Sequence, residues 1–217
     1  MTENHFETGV ENLRQRLLVM ASRAETAVNE AVQALLQRDL DRALRVRADD
    51  QVIDAFEIEI DDLAIHLLTK APLATNLRLV MVAMKISQNL ERIGDEAAKI
   101  AKRARDLAQE PPIPTGPELP RMAALALQLV KDTLDAFVQN DSAAARAIIP
   151  RDAEINALHK QIHRQITRQM MAAPDTIVRG LHWLVAVKSL ERIADHAKNI
   201  AEEIVYLCEA QDIRHHK

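Results

Sequence analysis

The sequence predicts an all-α protein built as two linked three-helix bundles. Three observations predict it: the 217 residues include only four glycines and 2% aromatics, apolar residues recur at steps of three and four, and one segment is repeated. ERIGDEAAKIA at residues 91–101 returns as ERIADHAKNIA at residues 191–201. Scarce glycine favours helices, and the repeat indicates duplication of a helical unit.

The repeated unit extends well beyond that segment. A shift of 102 positions aligns identical residues of the two halves: Met20 with Met122, Asp39 with Asp141, Asp50 with Asp152, and Ile53 with Ile155. Five of the eight prolines fall in residues 109–120, where missing backbone donors interrupt any helix. We therefore predict a first bundle at residues 1–108, a proline-rich linker at 109–120 and a second bundle at 121–212.

Each unit is predicted to contain three helices, each with a buried seam. The seam of the first helix comprises Leu13, Leu17, Met20, Ala24, Val28, Ala31 and Leu35. Asp39 is placed to cap a second helix, which runs to about Lys70 and ends before Pro72. The seam of the third helix comprises Leu79, Ala83, Ile86, Leu90, Ile93, Ala97, Ile100, Ala104 and Leu107. In the second unit, Pro150 is predicted to kink or restart the second helix.

Composition and charge limit the possible functions. The formal net charge is −4 and the isoelectric point is near 6.1, so we expect no binding to nucleic acid. The one cysteine, Cys208, leaves no internal disulfide, which is typical of a reducing compartment. The most apolar stretch, residues 77–86, is half the length that spans a bilayer. We expect a cytoplasmic protein that reaches a membrane only through its partners.

Acidic residues on the second and third helices indicate a metal site in each unit. Glu91 and Asp95 stand one turn apart, opposite the third-helix seam, and are predicted to point outward. The second helix carries an acidic stripe at Asp50, Asp54, Glu57 and Asp61. In the second unit these positions hold other ligand types: Asp152, Asn156, His159 and His163. The third helix of that unit adds Glu191, Asp195 and Asn199, with His196 beside them.

These residue types suit particular ions. Carboxylates favour Mg²⁺ or Mn²⁺ in the first unit, and imidazole also admits Fe or Zn²⁺ in the second. The alternative is an ordinary solvated helix face, with the like charges offset by neighbours such as Arg47, Arg92 and Lys99. Gly94 costs about 1 kcal/mol inside a helix. It indicates either a neutral substitution that the helix tolerates or the close approach of a partner or an ion.

Several motifs carry a resemblance to a known family. APLATNLR followed by NLERIGDEAAKIA, and later SLERIADHAKNIAEEIVYL, resemble the two halves of the PhoU family, regulators of the phosphate-specific transport system. The opening HFETGVENLRQRLLVMASRAETAVNEAV is similar to the first helix of that family, so the resemblance covers nearly the whole chain. It implies two three-helix bundles related by a pseudo-twofold axis. The metal-binding motif residues that it implies are Glu91, Asp95, Glu191, Asp195 and Asn199, with Asp50, Asp54, Asp152 and Asn156 as partner ligands.

The chain departs from the family pattern at three positions. Asn76 replaces a usual Asp, Glu96 stands where His is common, and Lys99 replaces Asn. Lys99 brings a positive charge within one turn of Asp95. We therefore predict weaker metal binding in the first unit than in the second.

The resemblance implies regulation rather than catalysis. PhoU-like proteins act as adaptors between the ATPase subunit of the phosphate ABC transporter and a sensor histidine kinase, keeping the phosphate-starvation response off and limiting uptake. We expect a non-enzymatic negative regulator that forms a homodimer and binds Mg, Mn, Zn or Fe. Two alternatives stay open. One is a carboxylate-bridged metalloenzyme, although the third helices lack the Glu-x-x-His motif of such sites; the other is a metal-free helical scaffold.

Overall fold

The computed structural model describes residues 2–69 and 74–214, and every regular element in those ranges is helical. Its α-helices are α1 (Thr2–Gln37), α2 (Leu40–Leu68), α3 (Ala74–Ala108), α4 (Glu118–Gln139), α5 (Ser142–Ile148), α6 (Asp152–Ala172) and α7 (Ile177–Glu209). The first bundle consists of α1 to α3. The second consists of α4 to α7, with α5 and α6 together taking the place of α2. The predicted all-α architecture of two pseudo-symmetric bundles is confirmed.

The same turn joins the first and second helices of each bundle. Arg38 and Asn140 adopt left-handed backbone conformations, with φ of 59° and 52°, and so end the preceding helix. Asp39 and Asp141 follow, and each side chain accepts a hydrogen bond from the amide three residues later, at 3.0 Å and 2.9 Å. Such a cap satisfies a free helix donor and is worth about 1 kcal/mol. The cap predicted at Asp39 is confirmed.

A proline divides the second helix of the second bundle. After α5, a 3-10 turn at Ile149–Arg151 contains Pro150, and α6 starts at Asp152. In the first bundle α2 continues unbroken through the matching position. Proline lacks an amide proton and its ring clashes with the preceding turn, so the helix restarts after it. The interruption predicted at Pro150 is confirmed.

The connections between helices differ slightly from the prediction. Between α3 and α4, residues 109–117 are not helical, so the last three residues of the predicted linker belong to α4. Gly116 has φ of 72°, which residues with a Cβ rarely adopt, and it turns the chain into α4. The stop predicted at Pro72 lies outside the described residues, whereas α2 ends at Leu68.

The third helices, α3 and α7, form the centre of the molecule. They run antiparallel and in contact, since Lys85 pairs with Glu203 and Glu96 pairs with Arg192. The seam predicted for α3 is buried except at Leu79, and the matching seam of α7 is buried except at Leu207, both of which are partly buried. Burial of each Leu or Ile contributes roughly 1.5–3 kcal/mol. These seams therefore fix the faces that α3 and α7 turn toward α2 and α6.

Candidate functional site

The first groove lies between α2 and α3, and its acidic residues are Asp50, Asp54, Glu57, Glu91 and Asp95. Burial raises the pKa of Asp50, and the carboxylates of Asp54 and Asp95 raise it further. Burial also raises the pKa of Glu91, with additional increases from Asp95 and Glu57. Carboxylates affect one another in this way only at close range. The acids that the sequence predicts to act together on these two helices therefore lie close enough to interact electrostatically.

Basic side chains already contact the first groove. Lys99 Nζ lies 3.6 Å from Asp95 Oδ2, and Arg92 Nε lies 3.3 Å from Glu91 Oε2. Both cations are about half exposed, so each pair contributes roughly 0–1 kcal/mol. Glu91 Oε2 is nevertheless buried and accepts no hydrogen bond from the described residues. A cation placed in the groove would satisfy that oxygen.

Gly94 explains how α2 comes so close to α3 in the first groove. A Cβ at this position would lie 2.9 Å from Ile53 Cδ1 and 3.6 Å from Asp50 Oδ1. The missing side chain makes room for Ile53, and one turn away it lets Asp50 lie against α3. The close approach that the structure shows at Gly94 is made by α2, and the expected approach of a partner or an ion stays a prediction. The second bundle has Ala194 at the matching position.

The second groove is the matching site between α6 and α7, and it contains Asp152, Asn156, His159, Glu191 and Asp195. Burial raises the pKa of Asp195 to about 6, and the carboxylates of Asp152 and Glu191 add to the increase. Asn156 Nδ2 donates a hydrogen bond to Asp152 Oδ1 at 3.0 Å. Lys188 and Lys198 lower this pKa only in part, and either a proton or a metal ion would supply the remaining compensation.

Lysines also occupy the second groove. Lys198 Nζ lies 3.4 Å from Asp152 Oδ2, and Lys188 Nζ forms an ion pair with Glu191 Oε2. The prediction of weaker binding in the first unit rests on the positive charge of Lys99. Since both grooves contain lysine, the structure gives that prediction no support from lysine content alone.

The predicted outward orientation is wrong for Glu91, and two acids of the second groove are buried to a similar degree. The side chains of Glu91 and Glu191 are only 16% and 14% exposed, and that of Asp152 is 10% exposed. The physical reason is that the second helix of each bundle covers the side of the third helix from which Glu91 and Glu191 project, and Asp152 of α6 faces α7 across the same contact. They lie in grooves with one open side rather than on a solvated face.

Asn199 and His196 lie at the contact between α7 and α3. Asn199 Nδ2 donates to Asn89 Oδ1 at 3.3 Å, and His196 Nδ1 lies 3.0 Å from the same oxygen. Among the described residues, no contact joins the Asn199 side chain to another predicted ligand of the second groove. That Asn199 binds metal stays a prediction. In the structure its side chain is directed toward α3 of the other bundle.

A buried ionic network at the same contact was not predicted from the sequence. Burial opposes the ionisation of Glu96, yet hydrogen bonds from Ser189, Lys99 and Arg192 hold its pKa below the usual value. Lys99 Nζ is 3.0 Å and Arg192 Nη1 is 3.1 Å from Glu96 Oε1. Glu96 follows Ile93 by three positions, which places it on the flank of the seam. That spacing is the signal in the sequence for its burial.

The donor set of the grooves fits a metal ion in type, although the side chains do not already form a coordination sphere. Within residues 2–69 and 74–214, no three His, Cys, Asp or Glu side chains converge closely enough to hold an ion. Lysines and arginines stand among the carboxylates instead. An added cation would lower the raised pKa values of Asp50, Glu91 and Asp195. It would also contact Glu91 Oε2, which accepts no hydrogen bond from the described residues.

Known proteins match nearly the whole length of this chain in sequence. A family model described as the PhoU domain matches residues 17–104 and again residues 119–204. The phosphate-specific transport system accessory protein PhoU homolog of Pseudomonas aeruginosa is 38% identical over 212 residues, which cover 97% of this chain and 88% of that protein. The phosphate-specific transport system accessory protein PhoU of Escherichia coli K12 is 34% identical over 211 residues, which cover 97% of this chain and 88% of that protein.

None of the helices formed by residues 2–69 and 74–214 is long and apolar enough to cross a bilayer. Two solved structures share the architecture of this chain. The crystal structure of PhoU from Pseudomonas aeruginosa matches with a TM-score of 0.92 at 37% identity, over 95% of this chain and 100% of that one. The phosphate transport system regulatory protein PhoU from Streptococcus pneumoniae matches with a TM-score of 0.88 at 27% identity, over 96% and 99%. The chain therefore belongs to the PhoU family.

Proposed function

We propose that this protein is a cytoplasmic accessory regulator of a phosphate ABC transporter, and that it restrains both phosphate uptake and the phosphate-starvation response. The support is similarity over nearly the full chain to proteins named as accessory proteins of the phosphate-specific transport system. In this role it is a non-catalytic homodimer. It connects the ATPase subunit of the transporter with a sensor histidine kinase.

Metal binding in the two grooves is the second part of the proposal. The observation that carries it is the half-buried carboxylates facing each other across two helices, with Asp195 raised to a pKa of about 6. Bound Mg, Mn, Zn or Fe would supply positive charge where these groups repel one another. The residues that would hold it are Asp50, Asp54, Glu91 and Asp95 in the first groove and Asp152, Asn156, Glu191 and Asp195 in the second, with Asn199 beside it.

The grooves connect metal binding to docking through surface charge. With their carboxylates neutralised, α2 and α3 present a less negative surface, and so do α6 and α7. A partner with acidic groups can approach such a surface, whereas unscreened carboxylates repel it. The groove residues therefore bind and orient, and no bond of a substrate is broken.

Elemental analysis tests the metal sites. The full chain is purified without a histidine tag, equilibrated with Mn²⁺ and freed of excess ion. Glu191→Ala with Asp195→Ala should remove the metal of the second groove. The matched control is Asp135→Ala, since Asp135 is an exposed acid of α4 outside both grooves. Unchanged metal content in the double variant would refute the assignment.

Binding to purified partners tests the adaptor role. The transporter ATPase subunit and the sensor kinase of the same organism are each immobilised, and the untagged chain is passed over them with and without Mn²⁺. We expect binding to both, and weaker binding when the ion is removed. Absence of binding to either protein under both conditions would contradict the adaptor proposal, whatever the metal content.

A metal-free scaffold is the competing function, and one observation favours it. Lysines lie 3.6 Å from Asp95 and 3.4 Å from Asp152, so part of the charge is offset without a metal ion. For this alternative we expect no retained ion in the parent chain and partner binding that is insensitive to Mn²⁺. The same two experiments therefore separate it from the metal-dependent regulator.

A further inference from the structure

The hairpin formed by α6 and α7 carries an excess of positive charge. Residues 157–188 contain three arginines and two lysines against a single carboxylate, Asp175. The chain as a whole has a formal net charge of −4. The matching residues 55–88 of the first bundle contain four carboxylates and three basic residues. The excess of positive charge therefore belongs to one of the two hairpins.

Three of these basic residues lie on one face of α6. Lys160, Arg164 and Arg168 follow one another at steps of four, and Met171 comes three positions later, so all four project from the same side of the helix. All four are exposed, and the buried Ile166 lies on the opposite side. We call Lys160, Arg164 and Arg168 the basic stripe. It leads along α6 to the turn before α7.

Apolar side chains are exposed on both sides of that turn, the 3-10 segment Pro174–Thr176. Met171 before the turn is 72% exposed, and Val178 and Leu181 after it are 60% and 52% exposed. Ile177 is exposed as well, and these four residues are called the hairpin tip. Several large apolar side chains exposed together indicate an interaction surface, whereas single ones are ordinary.

Little negative charge offsets the basic residues of the hairpin. Asp175, its one acid, pairs with Arg179 at 3.0 Å. Arg164 Nε donates to the backbone oxygen of Lys160 at 3.2 Å. Among the described residues, no carboxylate pairs with Arg164 or with Arg168. The guanidinium groups beside Met171 are therefore available to an anionic partner.

Neighbouring segments do not reverse the sign of this charge. Two of their carboxylates, Glu110 and Glu118, lie close to the hairpin, because α7 and α6 contact them or the residue beside them. The end of α3, which lies against the start of α7, brings three basic residues against one acid in residues 102–106. This end of the molecule therefore combines exposed apolar groups with net positive charge.

The hairpin of the first bundle differs in charge rather than in apolar exposure. Ile65 and Met81 are 57% and 49% exposed near its turn. Its α2 carries Glu57, Glu59 and Asp61 in the region where α6 carries the basic stripe. Since α3 and α7 run antiparallel, the two turns lie at opposite ends of the molecule. A negatively charged surface would therefore attract one end and repel the other.

We propose that the hairpin tip docks directly on a bilayer rich in anionic lipid headgroups. The basic stripe contacts lipid phosphates, and the apolar tip enters the headgroup layer. A turn that ends a hairpin fits a soft, uniformly anionic surface, whereas a protein partner would need acidic groups and an apolar cleft in one fixed arrangement. The contact is direct, although the sequence predicted that partners alone reach the membrane, and it goes beyond the proposed regulation.

Cosedimentation with lipid vesicles tests this docking. The full, untagged chain is mixed with vesicles of phosphatidylcholine alone, or of phosphatidylcholine and phosphatidylglycerol in equal parts. EDTA is present throughout, so that no metal ion bridges carboxylates to lipid. We expect sedimentation with the anionic vesicles, little with the neutral ones, and release at high salt because salt screens the attraction.

Reversal of the charge of the basic stripe should have the largest effect. Arg164→Glu with Arg168→Glu should weaken binding to the anionic vesicles roughly tenfold or more. The matched control is Arg23→Glu with Arg45→Glu, which makes the same change of net charge at exposed arginines of the first bundle. The control should weaken binding far less. Equal losses in the two variants would show that overall charge, rather than this surface, determines binding, and would refute the proposal.

The apolar tip provides a second, independent measurement. Met171→Ser with Val178→Ser should weaken binding severalfold, whereas Ile65→Ser with Met81→Ser at the opposite end should leave it unchanged. A parent chain that binds neither kind of vesicle, or both kinds equally, would overturn the proposal. If such a chain loses affinity for the immobilised transporter ATPase subunit on reversal of the stripe, the tip docks on protein instead. Absence of binding to purified partners contradicts the regulator proposal alone, since the vesicles contain no protein.

Discussion

The first and second grooves occupy equivalent places on a duplicated scaffold, yet they are assembled differently. In the first, Gly94 admits Ile53 and brings α2 against α3, and every candidate ligand is a carboxylate. In the second, Ala194 stands at that position and the second helix contributes an amide and two imidazoles. The comparison teaches that the apolar seams preserve the position of a site while the residues lining it diverge. Four predictions test this difference.

The largest expected effect comes from truncating the isoleucines beneath the grooves. Ile53→Ala and Ile155→Ala each remove a fully buried side chain and should cost about 2–5 kcal/mol of unfolding free energy. The loss should be greater for Ile53, because Gly94 has no side chain to fill the cavity. Urea unfolding of both variants measures the difference. Equal losses would show that the grooves are packed alike.

Gly94→Leu should destabilise the first bundle by about 1–3 kcal/mol, since the new side chain would overlap Ile53. The opposite kind of change in the second bundle, Ala194→Gly, should cost about 1 kcal/mol through helix propensity, with a further loss from removing a buried methyl group. Thermal unfolding compares the two. A neutral or stabilising Gly94→Leu would mean that α2 moves away from α3 without penalty.

The raised pKa of Asp195 predicts a pH dependence of stability specific to the second groove. Because the folded pKa is about 6 and the ordinary value for an aspartate is 3.8, the folded chain keeps a proton between these pH values that the unfolded chain releases. This favours folding below about pH 4 and is lost as pH rises through 6. After allowance for solvent screening, the change is on the order of 1–2 kcal/mol.

Asp195→Asn should remove that dependence in unfolding experiments performed with EDTA between pH 4 and pH 7. The control is Asp135→Asn, which deletes the charge of an exposed acid on α4. If the Asp195→Asn chain and the parent lose stability in parallel over this range, the carboxyl group is not the source.

The smallest effects should follow removal of the groove lysines. Lys198→Asn breaks one ion pair, worth roughly 0–1 kcal/mol, whereas Lys99→Asn also removes a hydrogen bond to the buried Glu96, which keeps its contact with Arg192. Their effect on affinity for Mn²⁺ should be easier to measure, because each lysine competes with the ion for carboxylates. We expect severalfold tighter binding in the corresponding groove, measured by electron paramagnetic resonance of free Mn²⁺. Weaker binding in either variant would indicate that lysine helps to hold the groove closed.

Local rules were sufficient to predict much of this fold. The repeat, the seams, the Asp39 cap and the break at Pro150 depend on residue spacing and backbone chemistry within a few positions. The pairing of second-helix with third-helix acids also followed, because the seams determine which faces meet. That much of each candidate site was visible in the sequence.

The remaining features depend on distances between helices, which spacing along one helix does not determine. The burial of Glu91 depends on how far α2 extends over α3, and that of Asp152 depends on how closely α6 lies against α7. The role of Gly94 depends on its contact with Ile53, which lies on another helix. The ionisation of Glu96 depends on Arg192, which lies 96 positions away in the sequence. Those partners come from other helices, so periodicity in one segment carried no information about them.

The break at Pro150 has an electrostatic consequence for Asp152. Asp50 lies inside a continuous helix, where every nearby peptide dipole is matched by the next one. Asp152 is the first residue of α6, but its amide donates to Pro150 O and a 3-10 turn runs directly into the helix. The dipoles of α5 and α6 therefore meet end to end, and Asp152 receives only part of the roughly 0.3–1 kcal/mol that a free helix start gives an anion. One proline has thus divided the helix while leaving its electrostatic polarity nearly continuous.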